Sequence, residues 1–221
     1  MSKLINIITG NHLTTKRDYL SRMSKKKPFY MKESKKFGIN YWDGKRYYGY
    51  GGYRYIEGKL EPIAKKLIRK FKLNDKSKVL EIGCGKGYLL YEIKRKLPKI
   101  NIIGQDISSY ALKNSKKEIK KYLFRHSAQE KTNFKKKYFD LVFSINTLHN
   151  LKNFNLDKSI KEINRIGKKQ FIAVESYKNE KELFNLQCWS LTCQAFYSKD
   201  EWKYIFKKNN YKGNYEFIFF K

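Results

Sequence analysis

The chain has 221 residues, enough for one α/β core with additions and too few for two full domains and a linker. With 41% hydrophobic and 16% aromatic residues it can bury a core, which excludes wholesale disorder, and no apolar run approaches the roughly 18–20 residues of a membrane span. The 50 basic and 20 acidic residues leave a net charge of +30, which points either to a polyanionic partner such as RNA or to A/T-rich codons, since Lys, Ile, Asn, Tyr and Phe are all abundant.

The lysines are spread over nearly every predicted helix surface rather than gathered in one stripe, which favours the codon explanation, although the charge still attracts anionic substrates. Three cysteines, Cys84, Cys188 and Cys193, match no metal spacing and no disulfide framework, so no metal is expected and a reducing cytoplasm is the default. The start, residues 1–10, has a short apolar stretch broken by Asn6 and lacks the core of a signal peptide.

Residues 1–36 are lysine-rich and weakly periodic, and Thr14 or Thr15 is placed to cap a helix running towards Met31. His12 falls in this part and reads as a surface residue. Residues 37–58 are rich in Tyr and Gly and read as a loop. From residue 59 onwards helix and strand alternate. Apolar residues at 60, 63, 64, 67, 68 and 71 form a helical face. Lys78–Ile82 is a short buried strand ending in glycines, Gly87–Leu97 a helix and Asn101–Asp106 a strand. Ser108 or Ser109 caps a helix towards Lys121. Strands follow at residues 122–125, 139–145 and 170–175, with a helix at 156–166 between the last two. A helix is expected over 180–195, a capping box at Ser198-Lys-Asp-Glu201 opens another, and residues 214–220 form a terminal strand. This alternation implies a doubly wound, mostly parallel sheet with helices on both faces and ligands bound beyond the carboxyl ends of the strands.

The chemistry is concentrated in Val79-Leu-Glu-Ile-Gly-Cys-Gly-Lys-Gly-Tyr88. A strand enters a glycine turn there and a helix leaves it, because a Cβ would block both the tight turn and the approach of a ligand to the backbone. Asp106 ends the next strand, where a carboxylate can accept both hydroxyls of a ribose. A dinucleotide fingerprint counted from Gly83 would put its last glycine at Tyr88. A phosphate-binding loop counted from Gly85-Lys86 would start at Leu80 and put Gly87 where a hydroxyl belongs. Both fail.

The remaining pattern, E-x-G-x-G-x-G with an acidic second strand, resembles motif I of the class I S-adenosylmethionine-dependent methyltransferases. Gly104-Gln-Asp-Ile-Ser-Ser109, Phe139-Asp-Leu-Val-Phe-Ser-Ile-Asn-Thr-Leu-His-Asn-Leu151 and Glu201–Tyr211 are similar to later motifs of that family, and its quinone-biosynthesis-like small-molecule branch is the nearest in flavour. The resemblance covers residues 59–221. It implies a Rossmann-like seven-stranded α/β core there, preceded by a 1–58 unit made of a basic helix and an aromatic lid, with S-adenosylmethionine as cofactor.

By position the resemblance assigns Glu81, Gly83 and Gly85, with Cys84 filling the turn, to the methionine part of the cofactor. Asp106 takes the ribose, Ile107 the adenine face, and Ser127 and Ala128 the adenine edge, although many members carry Asp where Ser127 stands; His126 would be adjacent. Asn146 would lie near the methyl group. His149, with an ordinary pKa near 6.5, is the candidate base; the alternative is a loop hydrogen bond. Tyr48, Tyr50 and Tyr53 belong to the lid, with Tyr50 at the chemistry and Tyr53 at the cofactor. Tyr48 and Arg46, or Asp43, would meet a polar substrate. Glu175 and Tyr177 sit at the rim of the fifth predicted strand, Glu175 as a substrate ligand or as a helix cap. Asn185, Trp189 and Thr192 share a helix face that would wall the substrate, with core packing the simpler role for Trp189.

The expected activity is methyl transfer to O or N of a small polar, possibly anionic, metabolite by a soluble monomer or homodimer. Two other readings stand beside it. One is a tRNA or rRNA methyltransferase using residues 14–36 as a phosphate-binding arm; the other is an inactive binding protein on the same fold. Asn146-Thr-Leu-His149 is not an N-P-P-Y signature, which argues against adenine-N6 or glutamine-amide acceptors.

Overall fold

In a computed structural model of the chain, residues 2–8, 17–24 and 26–221 are described; the expected Thr14 or Thr15 cap and His12 lie outside them. Seven parallel strands form one sheet: β1 (Lys3–Leu4), β2 (Lys78–Ile82), β3 (Asn101–Asp106), β4 (Leu123–Arg125), β5 (Phe139–Ile145), β6 (Gly167–Glu175) and β7 (Asn214–Ile218). Their order is β1-β7-β6-β5-β2-β3-β4. The chain reverses direction across the sheet between β2 and β5, so the carboxyl ends of those two strands flank a crevice.

Each central strand is buried on both faces. Val79, Leu141, Phe143, Phe171 and Ala173 pack with Ile63, Leu67 and Phe71 of α3 (Glu61–Phe71) and with Leu90 and Ile93 of α4 (Tyr88–Lys96). Leu80, Ile82, Val142, Ile172 and Val174 pack with Leu156, Ile160 and Ile163 of α7 (Asn153–Ile166) and with Trp202 and Phe206 of α9 (Lys199–Lys208). This two-sided burial is why the strands read as continuous apolar runs rather than alternating ones. All three cysteines are free and buried. No helix of the described residues is long and apolar enough to cross a membrane.

The structure departs from the sequence expectation in four places. The seventh strand comes from the amino terminus. Ile5 N–H donates to Tyr215 O, and the backbone N–H groups of Ile7 and Ile8 donate to the carboxylate of Glu216, buried in the middle of β7. The helix expected from Ser108 towards Lys121 is two short ones, α5 (Ser109–Lys113) and α6 (Lys117–Lys120). Between them the side chains of Asn114 and Ser115 bond to the carbonyls of Tyr110 and Leu112, competing with a continuous helix.

Residues 37–58 are not all loop. They contain α2 (Ile39–Asp43) and a 3-10 turn at Arg46–Tyr48, after a 3-10 turn at Leu20–Arg22 and α1 (Lys27–Ser34). Finally, α8 (Glu180–Trp189) stops six residues before the expected end. The N–H groups of Gln194 and Ala195 donate to His149 O, and Cys193 N–H donates to Ser190 Oγ, which holds residues 190–195 out of the helix. Ser108 and the Ser198–Glu201 capping box cap their helices as expected.

Candidate functional site

The crevice is built on the turn between β2 and α4. Gly83, Gly85 and Gly87 all have positive φ, at 77°, 57° and 70°. A Cβ on Gly83 would lie 2.0 Å from Thr147 Oγ1, and one on Gly85 would lie 2.7 Å from the Trp42 ring, so both conformation and space demand glycine. Asp106 braces the turn. Its Oδ2 accepts from Gly85 N–H and its Oδ1 from Ser108 N–H, both at 2.8 Å. Burial raises the Asp106 pKa, and those two backbone N–H groups oppose the rise. Glu81 is buried beside it, its pKa raised by burial and then by the charge of Asp106, and its Oε2 has no partner.

These groups line a cavity of about 410 Å³. The expected cofactor residues Tyr53, Glu81, Gly83, Cys84, Gly85, Asp106, Ile107, Ser127, Ala128 and Asn146 all face it, as do His126 and Tyr50, the latter expected at the chemistry. So do Trp42, Tyr41, Phe37, Thr147 and Asn150, which the sequence reading missed. The Cys84 thiol is buried and its pKa is pushed well up, so it stays a neutral filler.

The aromatic segment folds across this turn. Trp42 packs on Gly85, donates its indole N–H to Ser108 Oγ at 2.9 Å and stacks on Tyr50 with ring centroids 5.2 Å apart. Asp43 fixes the segment by accepting from the buried Lys86 ammonium at 2.7 Å, from Tyr110 Oη at 2.9 Å and from Tyr53 N–H at 3.0 Å. Asp43 is thus occupied by the turn's own lysine rather than offered to a substrate. Tyr53 stacks on Tyr88 of α4.

A second cavity of about 210 Å³ adjoins the first and shares Arg17, Tyr41, Tyr50, Asn146 and Asn150 with it. His149, Glu175 and Arg46 face this one, together with Arg22, Trp189 and Thr192. Asn146, just past β5, adopts φ 54°, a left-handed conformation that Asn tolerates better than most residues. Its Oδ1 and that of Asn150 are buried without partners. Two unsatisfied amides at the junction of two cavities make this the candidate ligand site.

His149 is 3% exposed. Its Nδ1 accepts from Glu175 N–H at 3.3 Å and its Nε2 lies 3.4 Å from Glu175 Oε2, so the ring proton sits on Nε2. Burial lowers the His149 pKa to about 3 and raises that of Glu175 to about 7, with Arg17 opposing the latter. Burial also raises Tyr50 to about 12, which keeps it a phenol.

Three expected residues lie elsewhere. Tyr48 packs against Tyr30, Tyr47 and Phe29, and its carbonyl accepts from Ser34 Oγ. Tyr177 pairs with Ser198 in an isolated bridge, and its hydroxyl donates to Glu201. Asn185 Nδ2 donates to Phe220 O. Each is turned away by a local partner invisible in the sequence. Trp189, expected in the core, forms a wall of the second cavity because α8 ends there.

The donor set fits an adenosyl sulfonium amino acid. It offers a carboxylate at the second-strand end, an unpartnered carboxylate oxygen at Glu81, aromatic faces and a bare glycine turn, without the hydroxyl a bound triphosphate would need. Comparison with known proteins agrees. Residues 73–210 match a family model described as a methyltransferase domain. The chain is 26% identical over 171 residues to malonyl-[acyl-carrier protein] O-methyltransferase of Bacillus anthracis, covering 71% of this chain and 63% of that protein, so it spans less than two thirds of that relative's length. The fold is similar to YcgJ from Bacillus subtilis (TM-score 0.54, 16% identity, 66% of each chain). It is also similar to geranyl diphosphate C-methyltransferase from Streptomyces coelicolor A3(2), solved with S-adenosyl-L-homocysteine (TM-score 0.53, 13% identity, 66% of this chain and 58% of that one). The match to the family model covers more than half of the sequence, and with the glycine turn and Asp106 in place the chain belongs to the class I S-adenosylmethionine-dependent methyltransferases.

Proposed function

We propose that the protein transfers a methyl group from S-adenosylmethionine to an oxygen or nitrogen atom of a small polar metabolite. The observation that carries this reading is the second cavity, which meets the cofactor crevice at Tyr41, Tyr50, Asn146 and Asn150 and, at about 210 Å³, is of a size for a small molecule. When bound, the cofactor supplies an electrophilic methyl carbon on a positively charged sulfur. Asp106 holds the ribose hydroxyls, and Glu81 accepts from the amino group of the methionine part. Tyr50 and Trp42 present ring faces to the positive charge, an attraction worth about 0.5–2 kcal/mol. The segment clamped by Asp43 and Lys86 acts as the lid that excludes water.

The role of base passes from His149 to Glu175. The Nδ1 lone pair of His149 is already taken by the Glu175 N–H, and burial holds the ring neutral. Glu175, with a pKa of about 7, is matched to accepting a proton from an acceptor O–H or N–H near neutral pH. His149 Nε2–H orients that carboxylate. The O-methyltransferase activity named for the Bacillus anthracis relative supports an oxygen acceptor.

The test incubates the full chain with methyl-labelled S-adenosylmethionine and, separately, a cell metabolite extract and total tRNA and rRNA. Label is expected in the small-molecule fraction. Label in RNA would replace this reading with the RNA methyltransferase, and cofactor binding without label in either fraction would leave a binding protein.

A further inference from the structure

The second cavity carries a charge arrangement that methyl transfer itself does not call for. Three arginines meet over one ring. The guanidinium carbons of Arg17, Arg22 and Arg46 lie 5.3, 4.6 and 4.9 Å from the Trp189 ring centroid, and Arg17 is also 5.1 Å from Phe220. These ring contacts gather the three guanidinium groups around one indole. Backbone carbonyls hold two of them in place: Arg22 Nη1 donates to Arg46 O, and Arg46 Nη1 donates to Gly49 O and Tyr50 O.

Each guanidinium has five donors, and these bonds use only one group on each. Arg22 Nε is buried with no partner. Among the described residues neither Arg22 nor Arg46 has a carboxylate within ion-pair distance, and Glu175 is the sole carboxylate lining the cavity. Crowding like charges in a half-buried pocket is unfavourable by itself. Burial and then the neighbouring Arg46 lower the Arg22 pKa to about 10, and burial and Arg17 lower that of Arg46. An oxyanion would relieve that repulsion.

We propose that this arginine cup binds a carboxylate or phosphate group of the methyl acceptor, so that the substrate is a small anion whose nucleophilic O–H or N–H meets the carboxamides and Glu175 of the same cavity. There Asn146 Oδ1 and Asn150 Oδ1, both unpartnered, accept from the nucleophile beside Glu175. The forked N–H edges suit a planar or tetrahedral oxyanion, bound bidentately. The Trp189, Phe220, Tyr41 and Tyr50 rings enclose the body of the molecule. The inference rests on the methyltransferase reading above and adds the charge of the acceptor to it.

The experiment titrates the full chain, saturated with S-adenosylhomocysteine, with benzoate and phenyl phosphate and with the neutral isosteres benzamide and benzyl alcohol, by calorimetry at constant ionic strength. At least one anion is expected to bind about tenfold to a hundredfold more tightly than its neutral counterpart, and the tighter of the two distinguishes carboxylate from phosphate. Arg22→Gln and Arg46→Gln should each remove most of that preference, while Lys207→Gln on the outer surface of α9 should keep it. Equal binding of anions and isosteres, no binding of any of them, or a preference that survives both arginine substitutions would overturn the proposal; in the last case the anions are held by scattered surface lysines. The wild-type comparison decides the question even if a variant misfolds. Failure of S-adenosylhomocysteine itself to bind would be a different result, overturning the cofactor reading on which the proposal stands.

Discussion

Replacing Asp106 with asparagine tests the centre of the cofactor site. The carboxylate accepts from Gly85 N–H through one oxygen and from Ser108 N–H through the other, both at 2.8 Å, and it is 8% exposed. An amide keeps one acceptor oxygen and turns an NH₂ towards the other backbone donor. One buried N–H therefore loses its partner, at a cost of about 1–3 kcal/mol to the fold. The ribose loses a charge-assisted acceptor, worth about 1.5–3 kcal/mol, which weakens binding by roughly ten- to a hundredfold. Calorimetric titration of Asp106→Asn with S-adenosylhomocysteine, alongside urea denaturation, separates the two effects. If the variant lost stability yet bound the nucleoside within about threefold of wild type, Asp106 would be a brace for the turn and nothing more, and the placement of the ribose would fail.

The His149–Glu175 pair predicts an acid response. Between pH 4.5 and 6.5 the folded pair keeps its proton on Glu175 (pKa raised to about 7) while the unfolded chain keeps one on His149, whose folded pKa is about 3, so the two contributions cancel. Glu175→Gln removes the cancelling member, and its stability should begin to fall below about pH 6.5 rather than 4.5, by up to about 2.7 kcal/mol more than wild type at pH 4.5; parallel denaturation profiles for the two proteins would contradict the assigned protonation states. Gly85→Ala must hold an L side chain at φ 57° with its Cβ 2.7 Å from Trp42, which should cost about 1–2 kcal/mol and displace the lid. Tryptophan fluorescence unchanged from wild type, together with undiminished affinity for S-adenosylhomocysteine, would show that the lid does not rest on this glycine.

The sequence by itself settled the parts whose physics is local. Strand β2 and strands β3 and β5 were legible to the residue because both faces of a parallel sheet are apolar, with a glycine turn after β2 and a capping serine shortly after β3. The E-x-G-x-G-x-G turn and Asp106 were legible because a positive φ and a close approach leave no other residue type. Tertiary structure decided what depends on partners far along the chain. The seventh strand exists because Glu216, more than two hundred residues away, accepts from the backbone of Ile7 and Ile8. Helix α8 stops at Trp189 because the carbonyl of His149 captures Gln194 and Ala195, and that early stop turns an expected core tryptophan into the floor of an arginine cup. Arg46 was expected at a polar substrate, but Arg17 and Arg22 are two unremarkable members of a +30 chain until the fold brings them to the same ring. Periodicity reports burial within one element, whereas a binding pocket is a meeting of elements whose separations in sequence carry no signal.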